Sequence, residues 1–284
     1  MSKVLLIGDA GVDVYHVGKV RGMSAEAPIP ILDQTSFLEL PAMGMNVFAN
    51  LQTLGVDVTA VFTSHLPGKH RLVTEEGVQL ARWDVEDWCL PYEEDIEVPE
   101  GTELIVVSGY GKGALPMRVV EGLKATGLPL LVDTKSTPAP WIDVGERVVM
   151  FPNLVEYEKF KDSYEWFPYV TLKCGQAGVK ILNFGKVVAE FPSLAKSVHC
   201  VNGAGDTFLA GLVAALENNP YVVPEGERNY YPINFALAAA ALVVEQPFTK
   251  RTVTLQEVQE RMEKEFVGQG STDWPVFDTY DSLV

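Results

Sequence analysis

Val201-Asn202-Gly203-Ala204-Gly205-Asp206-Thr207-Phe208 is the stretch on which the reading of this chain turns. It opens a segment with helical apolar spacing from Asp206 to Leu216. Glycines at a helix start let backbone amides face outward, and the helix N-terminus adds partial positive charge there. Such a nest suits an anion, above all a transferring phosphoryl group. Asp206 stands at the same place, where a carboxylate can accept the proton of a substrate hydroxyl. On spacing alone the stretch reads equally as a Gly-rich turn whose Asp caps a helix. It is not a Gly-x-x-x-x-Gly-Lys-Ser/Thr phosphate loop, and no Gly-x-Gly-x-x-Gly follows the first apolar run, which argues against a dinucleotide fold.

Outward from this centre the chain alternates short apolar runs with helical patterns. Val4–Ile7, Val56–Phe62, Leu104–Val107, Leu128–Val132, Val148–Phe151, Tyr169–Leu172 and Val179–Leu182 read as strands. Asn46–Leu54 and Pro116–Thr126 read as helices that stop at Gly55 and Gly127. The final third is helical over Asp206–Leu216, Pro232–Val244 and Leu255–Phe266. This rhythm predicts an α/β fold with a mostly parallel sheet covered on both faces. Two segments, 14–40 and 69–98, break it with alternating patterns, and Glu75-Glu76-Gly77 marks a hairpin. They are expected to leave the main sheet as exposed strands and pair with each other as a small β lid. The Gly-rich tail from Gly268 is expected to be loosely held.

The chain has 284 residues, the size of one α/β domain with an appendage. Its 22 Lys and Arg against 38 Asp and Glu give a net charge of −16, which argues against a broad nucleic-acid or anionic-membrane surface. A small anionic substrate needs only a local cluster of donors. Cys89, Cys174 and Cys200 lie far apart without metal-ligand spacing and suit a reducing compartment. The first apolar run is too short for a signal peptide and is broken by Asp9, and Phe235–Val244 is too short to span a bilayer. A cytoplasmic protein is expected.

Asn202-Gly203-Ala204-Gly205-Asp206-Thr207-Phe208 resembles the C-terminal signature of the ribokinase-like (PfkB) carbohydrate kinases, and further pieces agree in order. Gly8-Asp9 with Asp13 resembles the family's opening strand and substrate loop. Asn46, Asn50 and Leu54-Gly55 resemble its sugar-binding helix. Val132-Asp133-Thr134-Lys135 resembles its Asp-Pro-Lys strand end, Pro152-Asn153-Leu154-Val155-Glu156 its Pro-Asn-x-x-Glu element, and Lys173 to Gly178 its glycine turn. The resemblance spans nearly the whole chain and implies one kinase domain over 1–284, a three-layer αβα sandwich with a β lid. Within the family, Met23-Ser24-Ala25-Glu26-Ala27-Pro28-Ile29-Pro30 and Ser108-Gly109-Tyr110-Gly111-Lys112-Gly113-Ala114-Leu115 resemble segments of bacterial D-glycero-β-D-manno-heptose 7-phosphate kinases. The implied reaction is transfer of the ATP γ-phosphate to give heptose 1,7-bisphosphate.

The resemblance also implies roles. Asp206 is the general base, and Gly203, Ala204 and Gly205 supply anion-stabilising amides. Lys173, Gly175 and Gly178 border the nucleotide, with Asn234 and Ala238 at the adenine. Asn153 and Glu156 orient Mg²⁺, although Asn-x-x-Glu is also the spacing of a helix capping box and both roles can hold. Asp13, Asn46 and Asn50 bind the sugar, and Lys112 and Arg21 converge on its phosphate. His16, His65, His70 and His199 carry no assignment, and Phe37, Trp83 and Trp88 read as lid or interface packing. Lids in the family pair between subunits, so a homodimer is expected. Three departures stand out: Pro41-Ala42-Met43-Gly44-Met45-Asn46 lacks the branch's glycine pair, Gly109 replaces an Asp, and only Thr63–Lys69 stands where the family has a turn, a helix and a strand. They keep open a different sugar or nucleoside acceptor, or a kinase-like binding protein. The chain ends at Val284, so no adenylyltransferase half is expected.

Overall fold

Val4 and Leu6 face one way and Leu5 and Ile7 the other, and all four are buried. A strand apolar on both faces needs helices on both sides. The computed structural model describes residues 3–64, 66–85, 91–93, 95–217, 230–248, 250 and 252–266. Its elements in order are β1 (Lys3–Gly8), β2 (Ala10–Met23), β3 (Pro30–Met43), α1 (Gly44–Thr53), β4 (Val58–Phe62), β5 (Gly68–Thr74), β6 (Gln79–Val85), β7 (Thr102–Gly109), α2 (Met117–Ala125), β8 (Leu130–Thr134), β9 (Val148–Met150), α3 (Leu154–Lys159), α4 (Lys161–Tyr164), β10 (Val170–Lys173), β11 (Val179–Asn183), β12 (Lys186–Phe191), α5 (Ala204–Glu217), α6 (Tyr231–Val244) and α7 (Leu255–Phe266).

The main sheet runs β12-β11-β10-β9-β8-β7-β1-β4. It is parallel from β4 to β10, and β11 and β12 add an antiparallel edge. On one face Val4 and Leu6 pack with Leu51 of α1, Phe208 of α5, Phe235 of α6 and Val258 of α7. On the other, Leu5 and Ile7 pack with Val120 of α2, Trp141, Tyr157 of α3 and Tyr164 of α4. The expected three-layer sandwich is what forms.

The second sheet, β3-β2-β5-β6, is the expected lid. Its strands are longer than the sequence pattern suggested, starting at Ala10 and ending at Met43. One expectation is corrected here. Val14, Tyr15 and Val17 are buried rather than exposed, because Tyr15 stacks on Phe248 (4.7 Å) and packs with Val73. At the other end β6 stops at Val85, and 91–93 and 95–98 carry no strand. Residues 86–90, with Trp88 and Cys89, as well as His65 and the tail from Gly268, lie outside the described residues. Five residues, 63–67, lead from β4 straight into β5, which is the shortening noted at Thr63–Lys69.

Candidate active site

Gly203 takes a positive φ of 81°, the glycine conformation that turns the chain into α5. Asp206 falls in the first turn of α5 and is 7% exposed. Burial raises its carboxyl pKa, and two donors oppose that rise: Asn46 Nδ2 reaches Oδ2 at 3.0 Å and the Tyr110 hydroxyl reaches Oδ1 at 2.7 Å. Asn46 is itself oriented from within α1, since Asn50 Nδ2 donates to the Asn46 backbone oxygen (2.9 Å) and to its Oδ1 (3.3 Å). That leaves the Asn46 amino group facing Asp206.

The carboxyl ends of β1, β7, β8 and β10 meet at this point, where open parallel sheets bind ligands. Asp9, just past β1, accepts the backbone amides of Tyr110, Lys112 and Ala114. Asp133 of β8 pairs with Lys173 of β10, and Lys135 pairs with Glu156. In the lid, Arg71 and Asp13 form a buried ion pair at 2.7 Å. Lys69, two residues before Arg71, makes no ion pair among the described residues and stands over the Tyr110 ring, 5.3 Å from its centroid. Burial lowers its pKa. Lys135 stands over the same ring at 4.9 Å; burial alone would lower its pKa, but Asp133 and Glu156 overcome this and raise it.

A cavity of about 700 Å³ opens from Tyr110 and Asp206 along the start of α5. Gly203, Ala204, Gly205, Lys173, Gly175, Gly178 and Asn153 line it as expected. Lys173 lies against Gly205: a Cβ built there would meet Nζ at 3.4 Å, an ordinary contact distance. Glu156 lies behind Asn153. The two form the capping box of α3, with Glu156 N donating to Asn153 Oδ1 at 2.9 Å and Asn153 N to Glu156 Oε2 at 2.9 Å. The far wall is Leu237, Ala240, Ala241 and Val244 of α6. Asn234 and Ala238, expected there, are not in it: Asn234 Nδ2 caps the Tyr230 carbonyl (3.1 Å) and Ala238 is fully buried.

Arg21 and Lys112 do not converge. Arg21 is 64% exposed near the end of β2, pairing with Asp33 at 3.7 Å. Lys112 reaches the site through its backbone amide, and its side chain is not part of the cavity wall. The cations that stand over Tyr110 are Lys69 and Lys135 instead, with Arg71 two residues from Lys69 paired to Asp13. Sequence reading gave no role to these three, nor to Tyr110 or Asp133. Asp133 and Lys135 carried a usable signal, as an acid and a cation closing a buried apolar strand. Lys69 and Arg71 become legible only once β5 is paired with β2, which sets Lys69 opposite Asp13.

No protein-family model matches the chain. It is 28% identical to the bifunctional protein HldE of Nitrosococcus oceani over 76% of this chain, and 27% identical to the HldE of Pseudomonas fluorescens over 86%. It spans 56% and 60% of those relatives' own length. Among solved structures, Escherichia coli phosphofructokinase-2 superposes with a TM-score of 0.67 at 13% identity, covering 93% of this chain and 99% of that one. Arabidopsis thaliana ribokinase, complexed with ribose and ATP, gives 0.64 at 15% identity, covering 92% and 99%. Methanocaldococcus jannaschii nucleoside kinase, described as an archaeal member of the ribokinase family, gives 0.65 at 17%, covering 93% and 99%. The fold is ribokinase-like. The resemblance read from Asn202–Phe208 and its companion segments is thereby borne out for the ribokinase-like sandwich in the structural neighbours, and in sequence the chain is similar to the HldE proteins. In this ribokinase-like chain α5 presents its N-terminus and Asp206 to the cavity.

Proposed function

We propose that the chain is an ATP-dependent kinase that phosphorylates a hydroxyl of a phosphosugar, heptose 7-phosphate first among the acceptors. The observation that carries this is the placement of Asp206 at the start of α5, beside the Gly203–Gly205 turn and in one cavity with Lys173. The acceptor hydroxyl gives its proton to Asp206 as its oxygen bonds to the γ-phosphorus, and the bond to the leaving ADP oxygen breaks. Gly203, Ala204 and Gly205 amides, with Lys173, steady the charge that develops on the phosphoryl oxygens. Bound ATP supplies the phosphoryl group, and Mg²⁺ neutralises its phosphates. Asn153 and Glu156 carry hard oxygen atoms of the kind Mg²⁺ takes; Asn153 lines the cavity and Glu156 lies behind it with both oxygens engaged by Lys135 and Asn153, so the pair would act on the ion's hydration shell through Asn153.

Charge favours a phosphate on the acceptor. Asp13, Asp133 and Glu156 each have a cation in direct contact, whereas Lys69 has no contacting carboxylate among the described residues and feels Asp13 and Asp206 only at longer range. A half-buried ammonium with no carboxylate in contact is a group that an anion on the ligand can meet. The HldE relatives and the Ser108–Leu115 segment favour heptose 7-phosphate. A second reading, a different acceptor, is favoured by Arg21 lying away from the site. The lid further suggests a homodimer. The test is ADP formation over a panel of sugar phosphates and their unphosphorylated parents, with Asp206→Asn as control. Lys69→Ala is expected to raise the KM for the phosphorylated acceptor roughly ten- to a hundredfold and leave that for ATP nearly unchanged. Equal use of parent sugars would reject the phosphosugar and keep the kinase.

A further inference from the structure

Asp9 is 1% exposed, and its carboxylate gathers one short loop. Oδ2 accepts the amides of Tyr110 (2.6 Å) and Lys112 (3.1 Å), and Oδ1 accepts that of Ala114 (2.8 Å). The loop starts tightly: a Cβ at Gly109 would come within 2.5 Å of Leu115 Cδ1, and Gly111 needs a φ of +73°. This anchoring aims the Tyr110 hydroxyl at Asp206 Oδ1, 2.7 Å away, while Asn46 occupies Oδ2. The two oxygens of the base are thus engaged by neutral donors from two elements. The Tyr110 ring is fixed independently by Lys69 and Lys135 standing over it.

We propose that Tyr110 is a positioning residue of this site: its hydroxyl holds Asp206 as an oriented base until the acceptor hydroxyl takes its place on Oδ1, and Asp9 sets Tyr110. The turnover part of the argument rests on the kinase reading; the hydrogen bond does not. A donor stabilises the ionised carboxylate, whereas burial favours the protonated one. Asp133 adds to the burial effect and Lys173 opposes it. Lys69 of the lid and Lys135 after β8 also lie within electrostatic reach of Asp206. Removing the Tyr110 hydroxyl takes away a donor that favours the charge, so the Asp206 pKa must rise.

Tyr110→Phe keeps the ring, its two ammonium neighbours and the loop anchored on Asp9. In kcat/KM against pH, its acid limb is expected to move up by roughly one to two pH units relative to the unsubstituted protein. The deficit is then greatest at low pH and shrinks as pH rises. A merely structural role lowers the whole profile without moving the limb, and a superimposable limb overturns the proposal. The second measurement needs no turnover: infrared titration of the Asp206 carboxyl, taken as the difference from Asp206→Asn, with and without Tyr110→Phe. The midpoint is expected to rise with the substitution, and an unmoved midpoint overturns the proposal. If no acceptor on the panel is phosphorylated, the kinase reading is lost and the infrared midpoint alone decides the role of Tyr110.

Discussion

Asp206 is a carboxylate kept where burial opposes its charge, and this conflict yields two predictions. As the base, it is expected to contribute about 10²–10⁴-fold to turnover, so Asp206→Asn should lose that much while still binding ATP. Turnover within threefold of the unsubstituted protein would remove it from the role. As a buried acid, its folded pKa is raised above the unfolded value, chiefly by desolvation. The protonated form therefore favours the fold, and that contribution is lost as pH rises through the folded pKa. Asp206→Asn carries no such charge. Its melting temperature relative to the unsubstituted protein is expected to be higher at pH 8 than at pH 5, and a difference independent of pH would contradict this. Asp206 was legible because glycines next to an acid at a helix start form a pattern. Tyr110 was not, since one aromatic after a strand has no spacing of its own. Its importance comes from Asp9, 101 residues away in sequence.

Apolar runs such as Leu104–Val107 were easy to place as strands because burial on both faces leaves no polar alternation to misread. β12 went unseen: Lys186–Phe191 is the outer strand of the sheet, with Lys186 and Val187 exposed, and an edge needs little apolar content. α3 has six residues, too few for a helical period, although its Asn153-x-x-Glu156 capping box was visible. The glycine turn between β10 and β11 makes the sharpest prediction at this scale. Gly178 has a φ of +90°, and a Cβ there would lie 2.0 Å from the Phe191 carbonyl oxygen of β12. Because the clash is with backbone, no side chain can move aside. Gly178→Ala should cost at least about 1–3 kcal/mol in strain alone. At roughly 2–4 °C per kcal/mol, thermal melts should drop by several degrees. An unchanged melting temperature would mean the β11–β12 edge adjusts freely and does not fix the Gly175–Gly178 side of the cavity.

Across the whole molecule the lid sheet has one face committed and one open. Tyr15, Val17 and Val73 turn inward against Phe248, so the alternating residues turn outward. His16 pairs with Phe37 and His70 with Trp83 in register, and His16, His70 and Trp83 stack on one another at 5.0–5.5 Å. Phe37 is 49% exposed and Trp83 43%, with Val85 beside them at the end of β6 and Ile29 at the lid tip also exposed. An aromatic face of this kind on an isolated chain is costly in water, and association of two copies through it, the homodimer that the family resemblance implies, is the predicted outcome. A net charge of −16 on each copy opposes association. Salt screens that repulsion over about 10 Å at 0.1 M and leaves apolar contact intact, so the dimer should tighten as salt rises, the reverse of an interface held by ion pairs. Light scattering across concentration and salt tests this. Phe37→Glu with Trp83→Glu should give a monomer whose circular dichroism matches the parent, because neither side chain belongs to the buried lid core. A parent chain that stays monomeric at every concentration, or a dimer that weakens with salt, would rule out association through this face.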